Sequence, residues 1–147
     1  MKPSCEIRKF TASDGYAFHY RHWKPTNPPR GYVVALHGIQ SHSGWYEHSS
    51  ARLAEAGYDV RFLDRRGSGL NGRDRGHAPH PARLLNDVVQ FLNHVRFLRD
   101  RGAGGPVVLL AVSWGAKPAA ALAATRGELI DALAFLYPGL CTKVRAN

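Results

Sequence analysis

Short runs of consecutive apolar residues, separated by segments of helical length, constrain this chain more than any other feature. Y-V-V-A-L-H (32–37), Y-D-V-R-F-L-D (58–64), P-V-V-L-L-A-V (106–112) and D-A-L-A-F-L-Y-P-G (131–139) read as strands. A strand that is apolar on both faces must be covered on both, which is the condition of a parallel sheet layered between helices. The intervening segments supply those helices. One is expected from about Trp45 to Ala56, stopped by Gly57. A longer one opens beside Pro81, where Leu84, Val88, Phe91, Leu92, Val95 and Leu98 recur at helical spacing. A third is marked by the small residues A-A-A-L-A-A (119–124). The first thirty residues follow another rule. Cys5 to Phe10 and Tyr16 to Trp23 flank the turn sequence S-D-G, and Tyr16, Phe18 and Tyr20 alternate with Ala17, His19 and Arg21. That is a half-buried antiparallel hairpin. The expected order is two hairpin strands, three strand–helix units and a final strand: an α/β fold with a mostly parallel sheet.

At 147 residues the chain is expected to form a single domain, residues 1–147. Its 44% hydrophobic and 21% charged content excludes disorder as the main state. The longest apolar run, Leu129 to Leu140, is broken by Asp131 and Pro138, so no membrane span is expected. No apolar leader follows M-K-P-S-C-E-I-R-K, and Cys5 and Cys141 are too few for a disulfide framework. Both point to a cytoplasmic protein. The net charge of +9 permits affinity for nucleic acid. The basic residues are scattered and not interleaved with stacking aromatics, so a solvated basic surface is the better reading. No metal or other cofactor is expected. His19 and His22 fall on opposite faces of a strand, and His77 and His80 lack further ligands at suitable spacing.

Chemistry concentrates at Ser113. It lies in A-V-S-W-G (111–115), directly after a buried strand and before a helix, with small residues two before and two after. A nucleophile elbow needs that arrangement, because the turn is too sharp for larger neighbours. The helix start behind the serine supplies unpaired N–H groups and a field that favours an oxyanion. Such a site takes one oxyanion donor from the residue after the nucleophile, here Trp114, and one from the loop after the third strand. H-G-I-Q (37–40) is that loop; the second donor is the amide of Ile39 or Gln40, with Ile39 preferred.

H-G-I-Q-S-H-S-G-W-Y (37–46), D-R-R-G-S-G-L-N-G-R-D-R-G-H (64–77) and A-V-S-W-G together resemble the α/β-hydrolase superfamily. Within it they resemble the monoacylglycerol lipase, lysophospholipase and serine aminopeptidase-like branch. The first segment is similar to the branch's HG-x-x-x-HSG-x-Y, the second to its D-x-RG-x-G-x-S, with Asn71 in place of the usual serine. The resemblance implies a serine esterase that hydrolyses carboxylic esters, monoacylglycerol- or lysophospholipid-like, through an acyl-enzyme. It implies Ser113 as nucleophile and the Ile39 and Trp114 amides as oxyanion donors. His37, Gly38 and His42 would form the site loop, and His37, His42, Arg66 and Asp87 would hold loops in place.

The fold orders its triad serine, acid, histidine along the chain. Glu128 and Asp131 are the acids after Ser113, and all eight histidines precede it. The 147 residues therefore resemble the N-terminal half to three-fifths of such an enzyme, truncated after the sixth strand and without the last strands and cap. Weak or absent activity is expected, since loss of a triad costs about 10⁴–10⁶ in rate. His42 and His77 are the candidates for a substitute base. The sixth strand is expected to be an open edge, available to a second copy or to a complementing chain. The alternative function is thus a non-catalytic half-domain that associates through that edge.

Overall fold

The computed structural model describes residues 3–141. Six strands form one sheet: β1 (Cys5–Thr11), β2 (Ala17–Trp23), β3 (Gly31–Leu36), β4 (Tyr58–Leu63), β5 (Val107–Val112) and β6 (Ala132–Leu136). Their spatial order is β1-β2-β4-β3-β5-β6. β1 and β2 are the antiparallel hairpin, β2 runs antiparallel to β4, and β4, β3, β5 and β6 are mutually parallel. The helices are α1 (Glu47–Glu55), α2 (Pro81–Asp100) and α3 (Ala116–Arg126). The expected order of elements is the observed one.

Local chemistry sets the helix starts. Pro81 opens α2, where its missing N–H removes no helical bond, and the His80 ring accepts from Arg83 N as the cap. α1 begins two residues later than expected, because a 3-10 turn, Ser43–Tyr46, precedes it. α3 also begins late, after a 3-10 turn over Ser113–Gly115. That late start accommodates Pro118, which falls in the first turn of α3, where no backbone N–H needs an acceptor. The last strand is shorter than its apolar run. It stops at Leu136, and Tyr137 turns into the left-handed region at φ 49°.

α2 and α3 cover one face of the sheet. There Tyr20, Val34, Leu36, Leu63, Leu109 and Ala111 pack against Val88, Phe91, Leu92, Val95, Ala119 and Leu122, all buried. Among the described residues the other face carries α1 alone, over Val33, Ala35, Val60 and Phe62. The loop after β4 is fastened to the α2 side by Arg66. Its guanidinium donates to both Asp87 oxygens, at 2.8 and 2.9 Å, and to Asp14 at 2.8 Å, while lying over the Tyr16 ring.

Candidate active site

β3, β4 and β5 all release their loops at the same end of the sheet, and the three motifs of the sequence meet there. Ser113 is the residue at which β5 turns into the helical segment. Its φ of 51° is in the left-handed region, which an L-residue enters only under strain of about 1–3 kcal/mol. Glycines on either side make room for this turn. A Cβ on Gly115 would come within 2.8 Å of His37 O and 2.9 Å of Leu36 O, and one on Gly38 within 3.2 Å of Ser113 Cβ. The turn is also held from the segment that follows β6, since Gly139 N donates to Ser113 O at 2.9 Å. Trp114 N–H belongs to the first turn of the helical segment, whose amides have no partner within the helix.

The loop after β3 lies against the serine. His37 is fully buried, and its ring tautomer follows from its neighbours. Arg65 N–H can only donate, so His37 Nε2 accepts from it at 3.0 Å, which leaves Nδ1–H to donate to Gly38 O at 2.7 Å. Burial above all, and then the Arg65 charge, lower the His37 pKa to about 4 against the pull of the Gly38 bond. The ring is neutral at pH 7. Gly38 O accepts a second bond from Arg65 Nη2 at 2.9 Å, and the Arg65 guanidinium stacks over the Trp114 ring, 4.6 Å from its centroid. At the end of this loop Gln40 adopts φ 54°, also in the left-handed region.

The carboxylate of Asp64, fully buried, joins the two remaining loops. Oδ1 accepts from Ser43 N at 2.7 Å and Oδ2 from Leu70 N at 2.9 Å. Asn71 explains its own departure from the usual serine. Its amide donates to Asp64 O and Arg65 O, both at 2.8 Å, while its oxygen accepts from His19 N at 2.8 Å. A serine hydroxyl has one proton and could not make both donations.

A cavity of about 890 Å³ opens over these loops, with Ile39, His42, Arg65, Leu70, His77 and Trp114 among its walls. Both substitute-base candidates therefore line it. His42, however, uses Nδ1 to accept from Gly44 N at 3.1 Å, capping the 3-10 turn. His77 is exposed. Among the described residues neither ring, nor any other side chain, hydrogen-bonds the Ser113 hydroxyl. The acids after the serine are committed elsewhere. Asp131 accepts from Val107 N at 2.7 Å, at the far end of β5, and Glu128 pairs with Arg126. Sequence reasoning missed Arg65, whose contribution depends on a reach between two loops that no spacing encodes. Cys5 and Cys141 are free and exposed.

A mixed sheet in this order, with a strained serine at the turn after the fifth strand, defines an α/β-hydrolase core. Solved structures agree on the fold. A thermostable carboxyl esterase from Bacillus coagulans superposes with a TM-score of 0.77 at 24% identity, covering 90% of this chain and 44% of that one. Residues 27–146 match the family described as serine aminopeptidase, S33, and the chain belongs to that family. Among its relatives are a monoacylglycerol lipase from Mycolicibacterium smegmatis, 32% identical over 88% of this chain and 41% of that protein, and the human monoglyceride lipase, 31% identical over 92% and 44%. The chain thus spans less than half the length of the curated relatives it matches.

Proposed function

We propose that this chain carries the nucleophile half of a serine ester hydrolase, acting through an acyl-enzyme on Ser113. The left-handed Ser113 between β5 and α3 is the observation that carries this reading. Backbone strain at a serine that ends a buried strand and opens a helical segment supports a functional role for that turn. The amides of Ile39 and Trp114 would take the oxyanion, with His37, Gly38 and His42 as the surrounding loop. Relatives named as monoacylglycerol and monoglyceride lipases support a small monoacyl ester substrate, monoacylglycerol- or lysophospholipid-like. Residues 1–147 would form one incomplete α/β-hydrolase domain, without cofactor, in a cytoplasmic setting that suits its two free thiols.

The test is hydrolysis of a short p-nitrophenyl ester by the 147-residue chain beside its Ser113→Ala variant. Weak turnover above background, of the size an oxyanion site without a triad base can give, that is lost in Ser113→Ala is the expected result; equal rates in both would overturn it. A second reading is favoured by β6, which among the described residues pairs with β5 alone and leaves Leu136 46% and Tyr137 90% exposed. In that reading the chain is a non-catalytic half-domain that joins a second copy or a complementing chain at this edge. It predicts association that grows with concentration, measured by sedimentation.

A further inference from the structure

The carbonyl of Gly38 and the amide of Ile39 belong to one peptide unit. No peptide bond among the described residues is cis, so this N–H points away from its own carbonyl. Two donors converge on that carbonyl, His37 Nδ1–H at 2.7 Å and Arg65 Nη2 at 2.9 Å. The first is itself set by Arg65, whose backbone N–H fixes the His37 tautomer at 3.0 Å. Arg65 therefore grips one peptide twice, once directly and once through an imidazole. Its guanidinium also covers the Trp114 ring, so a single side chain touches the Gly38 carbonyl, on the peptide that carries the Ile39 N–H, and the residue proposed as the second donor. Among the described residues no carboxylate lies within 4.0 Å of it to form an ion pair.

We infer that Arg65 is a positioning residue for ester hydrolysis: with His37 it locks and polarises the Gly38–Ile39 peptide, so that the Ile39 N–H faces the Ser113 hydroxyl as an oxyanion donor. The inference rests on the proposed role of Ser113. Its physics is that of a hydrogen-bonded chain. A donor on a peptide oxygen draws electron density from the nitrogen and makes the N–H a stronger donor, by roughly 10–30% per bond. A cation in that position adds a fixed field, and a donor held before the reaction needs no reorganisation during it. Gly38 completes the arrangement. Its missing side chain is what lets this peptide approach Ser113 Cβ.

The experiment uses the full ¹⁵N-labelled chain and the variants Arg65→Met and Arg65→Gln. The nitrogen resonance of Ile39 responds to bonds on the preceding carbonyl. It is expected to move in Arg65→Met, while the amides of β1 and of α2 stay in place; Arg65→Gln, which keeps a donor without the charge, should fall between. Turnover adds a second readout. Loss of Arg65 should lower kcat by about 10- to 100-fold with KM unchanged, the mark of a misplaced group that acts only in the transition state. Should Arg65→Met fail to fold, Arg65→Gln carries both readouts. An unmoved Ile39 amide in a folded variant, or a kcat at the parent level, overturns the inference. Failure of the hydrolase reading is seen elsewhere, as equal rates in the parent chain and Ser113→Ala.

Discussion

β5 has two faces of nearly equal apolarity and very different surroundings. Val107, Leu109 and Ala111 point under α2 and α3 and are fully buried, whereas Val108, Leu110 and Val112 point to the α1 side and are only half-buried. On that side α1 and the strands border an apolar groove of about 550 Å³, which includes Tyr46, Leu53, Phe62, Leu110, Val112 and Leu136. The sequence of a strand states how much apolar surface it offers. How much stabilisation is realised depends on which helices lie over it.

Four measurements bear on this difference, in falling order of effect. Arg66 ties the β4 loop to the covered side, so Arg66→Met should destabilise by about 3–5 kcal/mol in urea unfolding, because it leaves the Asp87 carboxylate buried without its partner. The two faces of β5 can then be compared directly. Leu109→Ala should cost about 2–5 kcal/mol. Leu110→Ala, one residue on, should cost at most about 1 kcal/mol; equal losses would mean that both faces are equally covered in solution.

The third measurement concerns pH at the strand ends. An unfolded His37 takes up its proton near the ordinary 6.5, and the folded one only near 4. Between those values the unfolded chain binds more protons, so stability rises with pH. The contribution, about 3 kcal/mol, is complete above pH 6.5 and is lost as the pH falls through 4. Burial depresses His22 as well, and adds to the slope in the same sense. Unfolding free energies at pH 7.5 and pH 5 should therefore differ clearly in the parent chain and less in His37→Gln. The smallest effect on stability is expected at the open edge. Leu136→Lys should change the unfolding free energy by less than about 0.5 kcal/mol. The same substitution should abolish any concentration-dependent association seen by sedimentation, as charge on an edge strand prevents pairing.

Much of this architecture is legible in the residues. The period-two alternation of Tyr16, Phe18 and Tyr20 placed them in the core, where all three are buried. The continuous apolar runs identified the parallel strands, and the small residues around Ser113 identified its turn. What escaped the sequence is non-local. No local pattern announces the 3-10 turn that moves the start of α3 to Ala116 and so makes room for Pro118. Asp131 is legible as the opening of the sixth strand, but its partner is not: strand register sets it at the end of β5 opposite Ser113, where it accepts from Val107 N. Arg65 looked like one basic residue among twenty Lys and Arg. Only the approach of the β3 and β4 loops brings its guanidinium to Gly38 and Trp114. The unequal cover of β5 was equally hidden, since a continuous apolar run reads the same whether one face or both are packed.

The hydrogen bond from Gly139 to the Ser113 carbonyl has a kinetic meaning. The strained turn is closed by a residue on the far side of the whole α3 crossover, so a long-range contact adds to the local steric demands of A-V-S-W-G. During folding the loop-closure entropy of that crossover must be met, and β6 laid beside β5, before the serine is held in its final orientation. Assembly of the site is thereby ordered in time behind assembly of the sheet.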